Sequence, residues 1–298
     1  MSADYTSSEE LVSRKYKKNS HLGAIWKSIK HNKGAMISLG FIVLLLLVMI
    51  ASFIFIKYDD ITAMNPKDRL MGPCWQHLFG TDEMGRDLFL RVIYGTRYSM
   101  AIGIGAVALS LVIGAFLGAL AGFFGGVVET AIMRANDILS AIPGTLLGMV
   151  IVTVLGQSLE NLLIAVAVTS IPGFVRITRA SIMTVKGQEF AEAARAIGMS
   201  NFRIIFTQLL PNGLSPLIVN TTSMIGTAII VAAGLSFLGF GIPLPTPEWG
   251  ALVSAGRNVI RTSWYLTFFP GLMIMLTVLA FNILGDGLRD ALDPKLKR

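Results

Sequence analysis

The chain has 298 residues, 53% hydrophobic and only 14% charged; a soluble globular domain carries roughly 25% charged residues, so the composition excludes one and points to several bilayer spans. The net charge of +7 is not a nucleic-acid signature, because no basic face with interleaved aromatics occurs and the charges fall between apolar runs. One cysteine, Cys74, excludes an intrachain disulfide, and with three scattered histidines, His21, His31 and His77, it excludes a metal cluster.

Residues 1–34 are polar and basic and read as a cytoplasmic tail, with Trp26 at the interface. The apolar run that follows is too long for a signal-peptide core and no small-residue cleavage site succeeds it, so 35–57 reads as the first transmembrane helix. Residues 58–97 form the longest extracytoplasmic segment, with its basic residues matched by acids. Within it stands His77-Leu-Phe-Gly-Thr-Asp-Glu-Met-Gly-Arg-Asp87. Asp82, Glu83 and Asp87 could be read as a carboxylate active site, but paired carboxylates are common; the preferred reading is a glycine-pinned turn whose Asp and Arg side chains pair and cap helices.

Residues 98–288 read as a five-helix core. The second span, from Tyr98 to Gly122, carries small residues at Gly114, Gly118 and Gly122, a spacing that lets helices pack closely in lipid; a packing seam is preferred over a substrate path. The third, from Glu129 to Leu155, should kink at Ile142-Pro143-Gly144, and Arg134 and Asp137 near its start should pair with one another rather than relay protons. The fourth runs from Leu162 to Ile177 with a kink at Pro172, the fifth from Leu214 to Ala233, and the sixth from Leu266 to Gly285 with Trp264 and Tyr265 as interface anchors. Between fifth and sixth, Gly234 to Gly250 reads as a broken helix and a re-entrant or surface segment; no Lys-Ser/Thr follows its glycines, so it is no phosphate-binding loop. Residues 289–298 form a cytoplasmic C-terminal tail. With six spans, seventeen basic residues fall on the side of the termini and eight on the other, which sets both termini inside.

The polar interruption at 186–211 needs a reason to be long and ordered. Gln188 to Ile197 is rich in good helix formers, with Phe190, Ala194 and Ile197 on one stripe. Gly198 suits a left-handed helix end, Ser200 can cap a second helix from Asn201 to Leu210, and Pro211 closes it. A helix lying on the membrane surface is the plainer alternative.

Glu192-Ala193-Ala194, Gly198 and Leu210-Pro211 stand at the spacing of the EAA loop and resemble that loop in ABC-importer permease subunits. The resemblance implies a coupling helix, with Arg195 beside the motif, that docks into a groove on a separate ATPase subunit. Gly80-Thr81-Asp82, Gly85-Arg86-Asp87 resembles the GTDxxGRD signature of the dipeptide, oligopeptide and nickel branch, and Pro247-Glu248-Trp249-Gly250 resembles a second signature near the family's extracytoplasmic gate. The chain departs from the branch at Gln208, where His is usual, and at Leu244, where Pro is usual.

The resemblance implies an all-α membrane protein with the type I ABC-importer permease fold, six transmembrane helices and both termini cytoplasmic, in a bacterial or archaeal inner membrane. It implies as partners a second homologous permease subunit, two ABC ATPase subunits and an extracytoplasmic solute-binding protein. ATP and Mg would be bound by the ATPase subunits and no cofactor by this chain, which is no enzyme. Substrate would cross by alternating access: di- or oligopeptides first, glutathione, nickel chelates or another small solute as alternatives. No substrate residues are assigned. An ion-coupled secondary transporter would need ionisable residues at midplane, and a membrane hydrolase a nucleophile–base pair; the spans offer neither.

Overall fold

The computed structural model describes residues 21–292. Residues 1–20 and 293–298, most of the expected tails, lie outside the described residues. Helix α1, His21–His31, occupies the last part of the expected N-terminal tail. Asn32 interrupts it and caps α2, Lys33–Phe55, its Oδ1 accepting from the Ala35 amide at 3.1 Å. The first long apolar helix thus begins at its cap, two residues before the apolar run does. Helix α3, Tyr58–Thr62, is a single turn.

Helix α4, Leu88–Phe124, has 37 residues and takes residues 88–97 out of the segment expected to be extramembrane loop. The cause is local: the Asp87 carboxylate accepts from the Leu90 amide at 2.9 Å and starts the helix there. At 1.5 Å per residue α4 is about 55 Å long, well beyond a hydrocarbon core of about 30 Å, so its first turns belong to the extramembrane part.

The third expected span is two helices, α5, Gly126–Ala141, and α6, Gly144–Leu155, bent by 89°. Pro143 cannot donate a backbone hydrogen bond, and the chain breaks there rather than kinks. Helix α7, Leu159–Val185, runs through Pro172 unbroken. Helix α8 is Glu189–Ala196. Helix α9, Leu214–Leu235, continues through a π turn as the span Leu214–Phe240. Helix α10 is Trp249–Gly256. Helix α11, Tyr265–Leu292, absorbs residues 286–292 that were expected beyond the last span. Among the described residues five helices are long and apolar enough to cross a membrane, or six if α5 and α6 form one broken span. The several spans expected from composition, and the all-α membrane class that the resemblance implies, therefore hold.

The centre of the bundle is α4 against α7. At Gly118 an added Cβ would come within 2.5 Å of the Val175 carbonyl oxygen, and at Gly122 within 2.8 Å of that of Arg179. The glycine face of α4 is thus filled by the backbone of α7 and leaves no room for a substrate path. Ser110 Oγ bridges the same helices, donating to the Ala167 carbonyl at 2.8 Å. Around this seam Ile102, Ala106, Val166, Phe174, Ala232 and Leu235 form a buried core.

Arg134 and Asp137 do not pair. The acids of α5 instead face the arginines of α7: Asp137 meets Arg176 at 3.4 Å, and Glu129 accepts from Arg179 Nε at 2.7 Å. Tyr265 is no interface anchor either; it is buried, while Trp264 is exposed.

Candidate functional site

Two constellations sit at opposite ends of α4. At its C-terminal end, α8 and the helical segment that follows are fastened to the bundle. Ala191, Ala194, Ile204, Ile205 and Leu209 are buried with Ala119 and Phe123 of α4 and Ile182 and Val185 of α7. Phe190 and Leu210 pack on the same cluster. Lys186 Nζ donates to the Phe123 carbonyl at 2.5 Å, and the Arg195 guanidinium stands 5.7 Å from the Phe123 ring centre. An element so anchored is part of the bundle, not a helix resting on lipid.

The helix end is built by Gly198, at φ +77°. The Met199 amide donates to the Ala194 carbonyl at 3.1 Å and the Gly198 amide to that of Arg195 at 2.9 Å, the paired bonds of a Schellman motif. This turn swings Ile197 out of the expected stripe: it is 77% exposed, and the inward stripe is the buried Ala191 and Ala194 with the half-buried Phe190. Glu192, Ala193 and Arg195 are also exposed. Past the turn, Ser200 makes no side-chain cap. The segment runs through Asn201–Arg203, a π turn at Ile204–Leu209 and Leu210–Asn212. Pro211 does not close it; the π register just before absorbs the missing N–H, and the break comes at Gly213. The outward side therefore shows Ile197 and Phe202 among charged residues.

At the other end of α4 the two signature strings converge. Gly80 and Gly85 have φ of +80° and +72°, and a Cβ at Gly85 would collide with the Asn65 carbonyl. Asp82 Oδ2 accepts from Arg86 Nε at 2.7 Å and lies 3.7 Å from Arg91 Nε, while its Oδ1 accepts from the amides of Met84 and Arg86. Asp87 caps α4 with one oxygen and takes His77 Nδ1 at 2.8 Å with the other. The Thr81 carbonyl accepts from the Tyr265 hydroxyl at 3.3 Å. Arg91, 1% exposed, donates to the carbonyls of Ile61 at 3.0 Å and Pro245 at 3.3 Å.

Pro247, Glu248, Trp249 and Gly250 are buried on the same turns of α4. Glu248 caps α10, accepting from the amides of Gly250 at 2.9 Å and Ala251 at 3.0 Å, and its Oε1 also accepts from Ser99 Oγ at 3.2 Å. Trp249 Nε1 donates to the Val92 carbonyl at 3.0 Å. A Cβ at Gly250 would come within 2.5 Å of Ala233 Cα. Asp82, Asp87 and Glu248 are each occupied by cations or amide donors, so they hold backbone in place and offer no free base. Sequence reasoning missed Arg91 and Ser99, which tie the two strings together; an arginine and a serine on an otherwise apolar helix face were the available signal. It also missed a 650 Å³ cavity near the C-terminal end of α7, lined by Asn220, Ser223, Asp286 and Arg289 among others. Among the described residues, no group of three His, Cys, Asp or Glu side chains could hold a metal ion.

The family described as binding-protein-dependent transport system inner membrane component matches residues 110–298, and the N-terminal transmembrane domain of oligopeptide transport permease C matches residues 20–73. A dipeptide transport system permease protein of Alkalihalophilus pseudofirmus is 45% identical over 273 residues, 91% of this chain and 89% of that one. A di/tripeptide transport system permease protein of Pseudomonas aeruginosa is 44% identical over 283 residues, 93% of each chain. A glutathione transport system permease protein of Escherichia coli is 45% identical over 272 residues, 91% of this chain and 90% of that one. Among solved structures, the inward-facing methionine ABC transporter MetNI matches with a TM-score of 0.57 at 17% identity, over 69% of this chain and 98% of that one, a likeness of fold alone. The chain belongs to the binding-protein-dependent transport system inner membrane components, the multi-pass permeases of ATP-driven importers, which have no ATPase activity of their own and work with ATPase and binding-protein partners.

Proposed function

We propose that this permease imports di- or oligopeptides by alternating access, in a complex with a second homologous permease, two ABC ATPase subunits and an extracytoplasmic solute-binding protein. In this reading the fold is the type I importer permease, α5 and α6 together make one of six spans, and both termini are cytoplasmic. Segment 58–87 and α10 then face outward, and α8 faces the ATPases. The excess of basic residues on the α8 side supports that orientation. ATP and Mg belong to the ATPase subunits.

The observation that carries the coupling role is the two-sided build of α8. Its inner side is locked to α4 and α7 through Ala191 and Ala194, while Ile197 in the turn after it and Phe202 in the segment that follows stand exposed. Apolar side chains held out on a rigid polar element mark a protein contact. A push on them reaches the bundle directly. Glu192, Ala193, Ala194, Arg195, Gly198, Leu210 and Pro211 form or support this face.

The peptide reading rests on the substrates named for two of the relatives; glutathione, itself a peptide, is the alternative carried by the third. Uptake of a labelled dipeptide by proteoliposomes holding the complete complex tests both parts. The wild-type complex should accumulate the dipeptide only with ATP. Gly198→Val, whose left-handed backbone strains a branched side chain by about 1–2 kcal/mol, should cut uptake several-fold while the permease still inserts. Wild-type uptake by that variant would remove the coupling role; competition by glutathione alone would replace the substrate.

A further inference from the structure

Beyond Leu235 the ninth helix passes through its π turn and breaks at Gly239, where φ is +93°. The break opens a cavity of 270 Å³ at the end of the bundle that carries the signature strings, lined by Gln157, Ser236, Ser254, Arg257 and Asn258 among others. Its walls are pinned. Gln157 Nε2 donates to the Gly239 carbonyl at 2.6 Å, and Ser254 Oγ to the Phe237 carbonyl at 3.0 Å. The Arg257 guanidinium stands 5.7 Å from the Phe237 ring centre, and among the described residues no carboxylate lies within 4.0 Å of it.

The second observation is Ser236. It is 4% exposed, and its Oγ has no hydrogen-bond partner. A buried hydroxyl without a partner is costly, so the cavity wall carries a donor that nothing in the chain satisfies. Gly241 packs beside it, and a side chain there would collide with that oxygen. No Asp or Glu lines the cavity. A guanidinium with no carboxylate beside it among the described residues, a buried hydroxyl and a carboxamide match a carboxylate. The volume is just under the roughly 300 Å³ of the smallest whole-ligand pockets, so it takes one end of an extended molecule.

We propose that this cavity receives the C-terminal carboxylate of a short peptide as it enters the bundle, with Arg257 and Ser236 donating to it. The inference rests on the peptide-import reading above. It is tested with the reconstituted complex and its binding protein, comparing uptake of a labelled dipeptide with uptake of its C-terminal amide. The binding protein is constant, so its own preference cancels when permease variants are compared. Arg257→Gln should raise KM for the free acid about tenfold, the worth of one hydrogen bond to a charged group, and leave the amide nearly unchanged. Arg257→Lys should restore most of the acid preference, and Ser236→Ala should shift KM in the same direction by less.

An acid-to-amide ratio equal in Arg257→Gln and wild type overturns the proposal. So does an acid-specific loss seen only in vesicles with anionic lipid, which would give Arg257 to a headgroup phosphate instead. If the assembled, ATP-hydrolysing wild-type complex takes up neither compound, the peptide reading fails first and this inference with it, a result visible before any substitution is made.

Discussion

Asp82 binds two guanidinium groups and two backbone amides at once, and Arg91 carries that tie to the carbonyls of Ile61 and Pro245. Arg86 and Arg91 are both buried. Removing the carboxylate leaves buried positive charge uncompensated, a loss of about 3–5 kcal/mol in comparable pairs. Asp82→Ala should therefore lower the thermal midpoint of the detergent-solubilised protein markedly, whereas Glu83→Ala, at an exposed position, should not; equal midpoints for the two would show that the signature loop does not hold the fold. The pairing of Asp82 with an arginine and the capping by Asp87 are local and were legible from the sequence. Arg91 was not, because its partners lie 30 and 154 residues away in the chain. Ile197 was misread for the opposite reason: helical periodicity was extended one residue past the turn that Gly198 imposes.

Helices were legible as apolar runs, and their ends were not. Capping by Asn32, Asp87 and Ser158 sets where α2, α4 and α7 begin, and caps lie outside the apolar pattern. Small-residue spacing, by contrast, reported the α4–α7 seam correctly, since close approach of two backbones leaves few residue types possible. Gly118→Val would push a branched side chain into the Val175 carbonyl and Thr178. Overpacking of this kind costs typically about 1–3 kcal/mol, and here it also separates the two central helices. The variant should show a lower unfolding midpoint and reduced recovery from membranes, while Gly126→Ala, where a Cβ would meet nothing within 4 Å, should lose only the smaller cost of its positive φ. Equal losses in both would mean the seam is not tight. The 89° break between α5 and α6 was foreseen only as a kink: a proline announces a lost hydrogen bond, but the angle is set by what each half packs against.

At the scale of the whole molecule, the chain is one membrane-embedded part of a larger importer, with signature strings buried around one end of α4 and a projecting helical pair at the other. The orientation of that axis has a direct assay in the chain's lone cysteine. Cys74 is half-buried in the segment between α3 and α4. A membrane-impermeant maleimide should label it in intact spheroplasts, and should not label a Cys74→Ser, Ile197→Cys variant until the membrane is opened. The reverse pattern would invert the topology. Membership of the importer family was legible because its motifs are local strings; the substrate was not, because the cavity proposed for it forms only where α9, α10 and the turn before α7 meet, and no single string encodes it.

The central claim is that α8 and the turn after it transmit ATPase movement to the bundle. The measurement that meets it most directly is photo-crosslinking from a benzophenone side chain placed at Ile197 in the assembled importer. The expected result is an adduct with the ATPase subunit whose yield changes when ATP is bound. An ATPase that co-purifies with the permease yet crosslinks only to positions elsewhere, with Ile197 and Phe202 unreactive in every nucleotide state, would contradict the account.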